Sequence, residues 1–419
     1  MKRPVRRVAL YGYLGSGNIG NDASLETVLA WLNSAYPDVA VSCITIAPDE
    51  VAVRYRIPSV QMSVHSSAGR RKGVTETSRK LLGRLVDMAR SYVLAGSVDA
   101  VIVPGMGVLE ESLGVRPWRL PLGLFLIAAA CRLRHRPFVL LDVGAEYAAN
   151  PFTRWLYVAT VGLAAHVSYR DRLSAAAMAR AGAREPEAVA PDLAFAHPAP
   201  TSAAPKPGRL VVGLMAYYGQ GDDPIQGAGV RRRYIAKLAH AIAMVADAGG
   251  QVVLVGGDKV DAAVARDVRR AVLSAFPALP EDAVVIRNCA TFSELTAEMM
   301  QAEVVIASRF HNLISALRLA RPTISIGYAD KNRHLMDALG VEGYCQDLKQ
   351  LNARELVAQI RAARENSEAL TARIRQGTSD YAEKVEGLLD RLATETLGLP
   401  TRRRRGLNLQ DEMDTCHST

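Results

Sequence analysis

Short runs of aliphatic and β-branched residues alternate with amphipathic stretches along almost the whole chain. This alternation is typical of a parallel β-sheet flanked by helices. In the first half of the chain it predicts strands at residues 5–11, 39–46, 100–103, 138–142 and 166–169. In the second half it predicts strands at residues 210–215, 251–255, 283–286, 303–307 and 322–326. The pattern therefore indicates an α/β protein with two successive series of βαβ units.

The stretch between the two series, residues 197–208, has four prolines and no apolar period. That composition is typical of a linker. We therefore predict two doubly wound, Rossmann-like domains, residues 1–196 and 209–350, that face each other across a cleft. Residues 351–399 are rich in helix formers with apolar positions three and four apart, which predicts C-terminal helices, and residues 400–419 are predicted to be a mobile tail.

The charge of the chain is regional. The formal net charge is +9, and residues 54–90 hold nine basic side chains against two acidic ones, a local excess of +7. The basic residues are Arg54, Arg56, Arg70, Arg71, Lys72, Arg79, Lys80, Arg84 and Arg90. Aromatic residues make up only 6% of the chain and do not interleave with this cluster, which argues against a nucleic-acid partner. The segment instead predicts peripheral contact with anionic membrane lipid or with an anionic glycan.

Two further observations concern the compartment. The five cysteines are scattered, with no C-x-x-C pair, which indicates a reducing environment rather than a disulfide framework. The basic residues at the N-terminus are not followed by the apolar run of a signal peptide, and the apolar stretches fall well short of the ~20 residues that span a bilayer. We therefore expect a cytoplasmic protein, held by its basic segment at the inner face of the plasma membrane.

The loop after the first predicted strand, Gly15 to Gly20, matches G-x-G-x-x-G. One interpretation is a dinucleotide site, but the acidic residue expected about 20 positions later has only late candidates in Asp49 and Glu50. Another is a simple tight turn between strand and helix. A third is sugar binding, because polar side chains crowd the loop and its glycines give close backbone access; the residues concerned are Gly17, Asn18, Asn21 and Asp22. Asp22 is alternatively the N-cap of a helix that begins near residue 23.

The loop after the third strand combines Gly105 and Gly107 with Glu110 and Glu111. Carboxylates at the mouth of a cleft accept hydrogen bonds from a polyol, so Glu110 is a candidate acceptor ligand. The alternative is that the two Glu residues only favour the first turn of a helix.

Basic residues follow two strands of the second series. Ser308 is predicted to cap a helix whose first turn carries Arg309, His311 and Asn312, and Lys331 follows the next strand. Cations are disfavoured at a helix N-terminus unless an anion binds there, and consecutive parallel strands bring the two loops together. The pattern therefore predicts an anion site. Arg170, at the end of the last strand of the first domain, can reach across the cleft or form an exposed ion pair with Asp171, whereas Asp192 is interpreted as structural.

Six of these motifs, taken together, resemble the polysaccharide pyruvyl transferase family. They are residues 11–20, 104–107, 168–172, 192–195, 308–311 and 328–331, and the resemblance runs from about residue 8 to residue 350. It implies an architecture like that of two-domain glycosyltransferases of the GT-B type. It also implies transfer of an enolpyruvyl group from phosphoenolpyruvate to two hydroxyls of a sugar, in a cell-surface polysaccharide or glycolipid precursor, which gives a pyruvate ketal and phosphate. Two departures, Asn21-Asp22 in place of Asp-Glu and Pro104 in place of a glycine, lie on the predicted acceptor side.

The resemblance assigns roles to the candidates. It places catalysis on Arg170, His311 and Lys331, and we expect the donor to contact these three together with Ser308, Arg309 and Asn312. His311 acts either as an acid toward the methylene carbon of the donor or as a base toward an acceptor hydroxyl. No metal and no cofactor beyond the co-substrate phosphoenolpyruvate is expected. Three rival hypotheses remain: a nucleotide-sugar glycosyltransferase of the GT-B type, a non-catalytic glycan-binding protein, and an NAD-dependent oxidoreductase that rests on the Gly15 loop alone.

Overall fold

The structure is a computed structural model that describes residues 5–63, 74–111, 116–199, 204–217, 224–327 and 330–401. Within these ranges, only the backbone is described for residues 74–82 and 224–226. The predicted tail beyond residue 401 and the basic residues Arg70, Arg71 and Lys72 lie outside the described residues.

The first domain is built on a parallel sheet with strand order β3-β2-β1-β4-β5-β6-β7 in the described part of the chain. Its strands are β1 (Arg7–Gly12), β2 (Ala40–Thr45), β3 (Ser59–Gln61), β4 (Ala100–Pro104), β5 (Phe138–Val143), β6 (His166–Tyr169) and β7 (Ala188–Val189). β4 and β5 are buried along their whole length, as the continuous apolar runs of a sheet covered on both faces require. The connecting helices are α1 (Ile19–Ala35), α2 (Pro48–Tyr55), α3 (Val74–Ser97), α4 (Leu120–Leu133), α5 (Pro151–Leu163) and α6 (Arg172–Arg180).

The second domain repeats this plan. Its sheet has the order β10-β9-β8-β11-β12-β13, again with parallel pairing. The strands are β8 (Leu210–Gly213), β9 (Val252–Val255), β10 (Val284–Arg287), β11 (Val304–Ala307), β12 (Thr323–Gly327) and β13 (Cys345–Asp347). The helices are α7 (Pro224–Asp247), α8 (Asp261–Ala275), α9 (Phe292–Met300), α10 (Phe310–Arg318) and α11 (Asp330–Ala338).

The C-terminal helices return the chain to the first domain. α12 (Ala353–Glu365) and α13 (Ser367–Arg391) are followed by a π-helical turn, Leu392–Thr396. The start of α13 packs in the second core through Leu370 and Ile374. Its end and the following turn pack in the first core through Val385, Leu388 and Leu392. One continuous segment therefore joins the two hydrophobic cores.

The predicted fold class is confirmed: two doubly wound sheets, each with its own core, and a helical C-terminal segment. All ten predicted strands are present within a few residues of their predicted ends. Three further strands were not predicted, namely β3, β7 and β13. Each is two or three residues long and lies at a sheet edge, where partial exposure removes the apolar run that marks an inner strand. The linker at residues 197–208 and the domain boundaries stay predictions.

Candidate active site

Both sheets reverse their strand order next to a central strand, between β1 and β4 in the first domain and between β8 and β11 in the second. In doubly wound sheets, the crevice outside the carboxyl ends of the strands at this point is where ligands bind. The loops after β1, β4, β5 and β6 meet the loops after β9 and β11 and the start of α11 there. Contacts between side chains of the two domains define the candidate site.

His311 is placed by the turn between β11 and α10. Arg309, not Ser308, is the N-cap residue of α10, so the prediction that Ser308 caps this helix is wrong. Ser308 is buried at the end of the strand, where its hydroxyl lies 3.2 Å from the hydroxyl of Tyr234. His311 is the second residue of the helix, and so lies in its first turn as predicted.

The site is centred on a carboxylate from the first domain, Asp192. Its Oδ2 atom lies 3.5 Å from Nε2 of His311 and 3.6 Å from Nη1 of Arg170. The other oxygen, Oδ1, accepts a hydrogen bond of 3.0 Å from the N–H of Ala194. Burial alone would raise the pKa of Asp192, but the charges of His311 and Arg170 and the N–H of Ala194 together hold it well below its ordinary value. Asp192 is therefore an anion that faces an imidazole from the other domain.

Arg170 is paired more closely with Glu110 and Asp192 than with its neighbour in sequence, Asp171. The guanidinium is buried, and its Nη2 donates to Oε1 of Glu110 at 2.5 Å, whereas Asp171 lies 3.9 Å away. Asp171 instead caps α6 by accepting from the N–H of Ser174. Gly144 permits this arrangement, because a β-carbon at that position would come within 2.5 Å of both Arg170 and Glu110. Arg170 thus links Glu110 to Asp192 and to the cleft.

Lys331 approaches from the second domain. Its Nζ lies 5.1 Å from the ring centroid of Phe310, and Cζ of Arg170 lies 5.8 Å from the same centroid. Within the described part of the chain, the ammonium has no carboxylate within 4.0 Å. Burial lowers the pKa of Lys331, and so does the nearby charge of Arg170. Two cations, one from each domain, therefore share one aromatic ring beside His311.

The other two predicted donor ligands, Arg309 and Asn312, make their contacts within the second domain. Arg309 makes a bidentate ion pair with Asp261, with Nε–Oδ2 and Nη2–Oδ1 distances of 2.5 and 2.7 Å. Asn312 is fully buried against Gly213 and Gly257, and neither of its amide atoms has a hydrogen-bond partner among the described residues. Asn312 therefore packs against the backbone at Gly213 and Gly257, and the charge of Arg309 is neutralised by Asp261.

The glycine loop of the first domain contacts the second domain. Asn18, not Asp22, is the N-cap of α1, and its side chain accepts from the N–H of Gly20 at 2.9 Å. Asn18 also forms an isolated antiparallel bridge with Asp258, and the N–H of Lys259 donates to the carbonyl of Gly17. Helix α1 thus begins four residues earlier than predicted, because the other domain completes its first turn.

The end of α1 also positions His311. A β-carbon on Gly20 would collide with Nδ1 of the imidazole. Asn21, partly exposed, donates to the carbonyl of Tyr13 at 3.2 Å. The N-terminus of α1 and the N-terminus of α10 therefore meet at His311.

Asp22 is completely buried rather than open to a ligand. Its carboxylate accepts from the N–H of Gly15 at 2.7 Å and lies 3.1 Å from Nη1 of Arg54. Burial raises the pKa of Asp22 to about 6, against the opposing effects of Gly15 and Arg54. Asp22 holds the glycine loop in place.

The loop after β4 turns sharply below Glu110. Gly105 and Met106 both have positive φ, +50° and +61°, and a β-carbon on Gly105 would collide with Ser24. Gly107 lies against the carboxylate of Glu110, where a β-carbon would not fit. These glycines therefore bring Glu110 to Arg170.

Two buried carboxylates of this region escaped sequence reasoning. Asp142 is the penultimate residue of β5, at a bulge with a φ of +56°, and its side chain is completely buried. Burial and the neighbouring Asp192 raise its pKa well above the ordinary value. Glu26 of α1 accepts from Phe292 N at 2.8 Å, Ser293 N at 3.0 Å and Ser293 Oγ at 2.8 Å, and so caps α9 of the other domain. Neither residue lies in a motif, so only their place on strand β5 and helix α1 could have drawn attention to them.

Comparison with known families identifies the family of this chain. The model of the family described as polysaccharide pyruvyl transferase matches residues 18–330, which is well over half of the chain and includes Asp192, His311 and Arg170. The chain belongs to the polysaccharide pyruvyl transferase family. The resemblance seen in the sequence is thereby confirmed. No match was found among curated proteins.

Solved structures similar to this pyruvyl transferase family member have the GT-B architecture. A putative UDP-N-acetylglucosamine 2-epimerase from Listeria monocytogenes aligns with a TM-score of 0.59 at 12% identity, over 95% of this chain and 98% of the other. The Anabaena protein HepE, in complex with UDP and glucose, aligns with a TM-score of 0.54 at 14% identity, over 93% and 99%. A glycosyltransferase from Rickettsia africae gives 0.51 at 12% identity, over 94% and 97%. At these identities the likeness establishes the fold, and the family match makes the chain a transferase.

A search of the helices in the described ranges for one long and apolar enough to cross a bilayer finds none.

Proposed function

We propose that this family member transfers the enolpyruvyl group of phosphoenolpyruvate to two hydroxyls of a sugar and releases phosphate. The product is a pyruvate ketal on a cell-surface polysaccharide or glycolipid precursor. The observation that carries the proposal is the convergence of Arg170 and Lys331 on the ring of Phe310, beside His311. Like charges from two domains are held together most easily when an anion lies between them.

The charges of phosphoenolpyruvate suit this arrangement. A phosphate and a carboxylate lie on one three-carbon unit, so the donor needs at least two cations at close range. Among the described residues, no carboxylate lies within 4.0 Å of the Lys331 ammonium, whereas Arg170 is already paired with Glu110 and Asp192. The N–H groups of the first turn of α10, which have no partners within the helix, provide further donors for an oxyanion. Arg309, paired with Asp261, supports the loop and contributes less.

His311 is the residue placed to move the proton. Acting as an acid, the protonated imidazole delivers its proton to the methylene carbon, and C2 becomes oxocarbenium-like. The first sugar hydroxyl adds to C2 and returns its proton to His311. The C2–O bond to phosphate then breaks, phosphate leaves, and the second hydroxyl closes the ketal as its proton passes to the leaving phosphate. Asp192 stabilises the imidazolium through this sequence, and it would do the same if His311 first acted as the base.

We place the acceptor on the first domain, where Glu110 and the loop after β4 border the cleft. Because the substrate is a precursor of the cell surface, we also propose that the acceptor is lipid-linked and that transfer takes place at the inner face of the plasma membrane. The regional charge of the sequence supports this location.

The decisive experiment incubates the purified protein with phosphoenolpyruvate and a panel of free and lipid-linked glycosides. We expect acceptor-dependent release of phosphate and an acceptor mass increased by one pyruvate ketal. His311→Gln should abolish both, whereas His240→Gln, a change at an exposed histidine of α7, should alter neither. Release of a nucleoside diphosphate from a sugar nucleotide, with no reaction of phosphoenolpyruvate, would refute the proposal in favour of a glycosyltransferase.

A further inference from the structure

Exposed apolar side chains are concentrated on one layer of the first domain. Of the large hydrophobic residues exposed in the described chain, nine lie on α3, α4, α5 or the turn into α4, and only Met244 and Val260 lie in the second domain. The nine are Leu85, Val86, Met88, Tyr92, Val93, Trp118, Leu133, Phe152 and Trp155. The three helices pack side by side, α3 on α4 and α4 on α5, so their outer surfaces form one face, which we call the α3–α5 face.

Four aromatic residues of this face, Trp118, Phe125, Phe152 and Trp155, contact one another in a row. Trp118 and Phe152 have ring centroids 5.0 Å apart, Phe152 and Trp155 are stacked at 5.9 Å, and Trp155 lies 5.4 Å from Phe125. Trp118 and Trp155 are each 53% exposed. A row of indole and phenyl rings that remains open to solvent is unusual for a monomeric surface and marks an interaction site.

Arginines outnumber carboxylates around these rings, although Glu111 accepts from the N–H groups of Ala149 and Asn150 just before Phe152. Residues 112–141 contain five arginines and no Asp or Glu, and residues 147–170 also lack acidic residues. The five are Arg116, Arg119, Arg132, Arg134 and Arg136. The guanidinium of Arg134 lies 3.9 Å from the ring centroid of Tyr92, so arginine and exposed aromatic rings are direct neighbours on this face.

We infer that the α3–α5 face docks on the surface of an anionic lipid bilayer. Tryptophan and tyrosine favour the interface between headgroups and acyl chains, and arginine binds anionic headgroups. The exposed aliphatic side chains on α3 and α4 distinguish a bilayer from a nucleic acid, because Leu85, Val93 and Leu133 offer no ring for a base to stack on. Trp118 and Phe152 lie at the N-terminal ends of α4 and α5, which is the cleft side of the first sheet. A docked bilayer would therefore border the acceptor side of the cleft.

This inference rests on the proposed function only in its supposition that the acceptor is carried by a membrane. Binding of the full chain to vesicles, with neither donor nor acceptor present, tests it separately. Co-sedimentation with phosphatidylcholine vesicles should be weak, and addition of phosphatidylglycerol should strengthen it. The double variant Trp118→Ser/Trp155→Ser and the charge variant Arg116→Gln/Arg119→Gln should each weaken binding about tenfold. The matched control Met244→Ser/Val260→Ser should bind as the wild type does.

Because the substituted side chains are exposed, we expect all the variants to melt as the wild type does and to act equally well on a water-soluble glycoside. Equal binding of the wild type and the tryptophan variant would overturn the inference. The inference would also be overturned if light scattering showed that the wild type is a dimer and the tryptophan variant a monomer. The face would then bind a second copy of the chain. Failure of pyruvyl transfer with intact vesicle binding would refute only the proposed function.

Discussion

At the level of single residues, Asp192 joins the charged groups of the two domains. Its carboxylate faces His311 at 3.5 Å and Arg170 at 3.6 Å, and its low pKa keeps it ionised. An ionised, buried partner fixes the orientation of an imidazole and stabilises its protonated form. Asp192 therefore acts as a positioning residue for His311, a role that goes beyond the structural one interpreted from the sequence.

Asp192→Asn should lower kcat about a hundredfold and change KM for phosphoenolpyruvate little. An asparagine still accepts from the N–H of Ala194, so the fold should hold while the charge is lost. A variant with the wild-type kcat would show that Asp192 is only structural.

Asp22 contributes to stability in a pH-dependent way, and its pKa is raised whereas that of Asp192 is lowered. Its pKa is raised from 3.8 to about 6 in the folded protein, so the protonated form favours the native state and the ionised form opposes it. The contribution is complete below the unfolded pKa and is lost as the pH rises through 6. By linkage it is at most about 3 kcal/mol.

We therefore expect Asp22→Asn to gain stability relative to the wild type between pH 4 and pH 8, measured by urea unfolding at each pH. The difference between the two proteins isolates this carboxylate from other titrating groups. Asp38→Asn, at an exposed position of the same domain, should show no such trend. A constant difference across the pH range would contradict the prediction.

At the scale of elements, the ends of α1 and α10 are fitted to each other. Gly20 lies in the first turn of α1, and only the absence of a β-carbon leaves room for the ring of His311. The glycine fingerprint of the first loop therefore serves a contact between helix ends.

Gly20→Ala should abolish most of the activity, since the imidazole must move away from Asp192. The helix itself should tolerate the alanine, because Gly20 has an ordinary helical position and Ala has the higher helix propensity. Gly162→Ala in α5 is the matched control, as its β-carbon would point into open space. Comparison of kcat with the melting temperature of both variants separates the effects, and an active Gly20→Ala enzyme would contradict the arrangement.

The same scale shows what sequence patterns can and cannot reveal. Periodicity located every inner strand, and composition with spacing located His311, Arg170 and Lys331 at the ends of strands, because these signals are local. The start of α1 and the burial of Asp22 were missed, because Asp258, Lys259 and Arg54 supply the missing partners from elsewhere in the chain. Partners that folding brings together have no signature in a single sequence.

At the scale of the whole molecule, the C-terminal segment ties the two domains. Leu392 is fully buried in the first core although it follows the entire second domain in sequence. Leu392→Ala should destabilise the protein by about 2–5 kcal/mol through loss of buried apolar contacts.

Tryptophan fluorescence can show whether the first domain is the part that Leu392→Ala destabilises. All three tryptophans, Trp31, Trp118 and Trp155, lie in the first domain, so their fluorescence during urea unfolding reports that domain. The midpoint should fall for Leu392→Ala and stay within error for Leu133→Ala, whose side chain is 70% exposed. If the unfolding midpoint measured by tryptophan fluorescence were unchanged in Leu392→Ala, the packing of the C-terminal segment in the first core would be contradicted.

The cap that Glu26 places on α9 limits how the two domains can move. The three hydrogen bonds to Phe292 and Ser293 join α1 to the start of α9, and Nε2 of His197 lies 3.4 Å from the same carboxylate. Wide separation of the domains would break all of these contacts at once, whereas a rotation that pivots on Glu26 would keep them. Substrate exchange by such a twist would leave the backbone amides of Phe292 and Ser293 protected from hydrogen exchange throughout turnover.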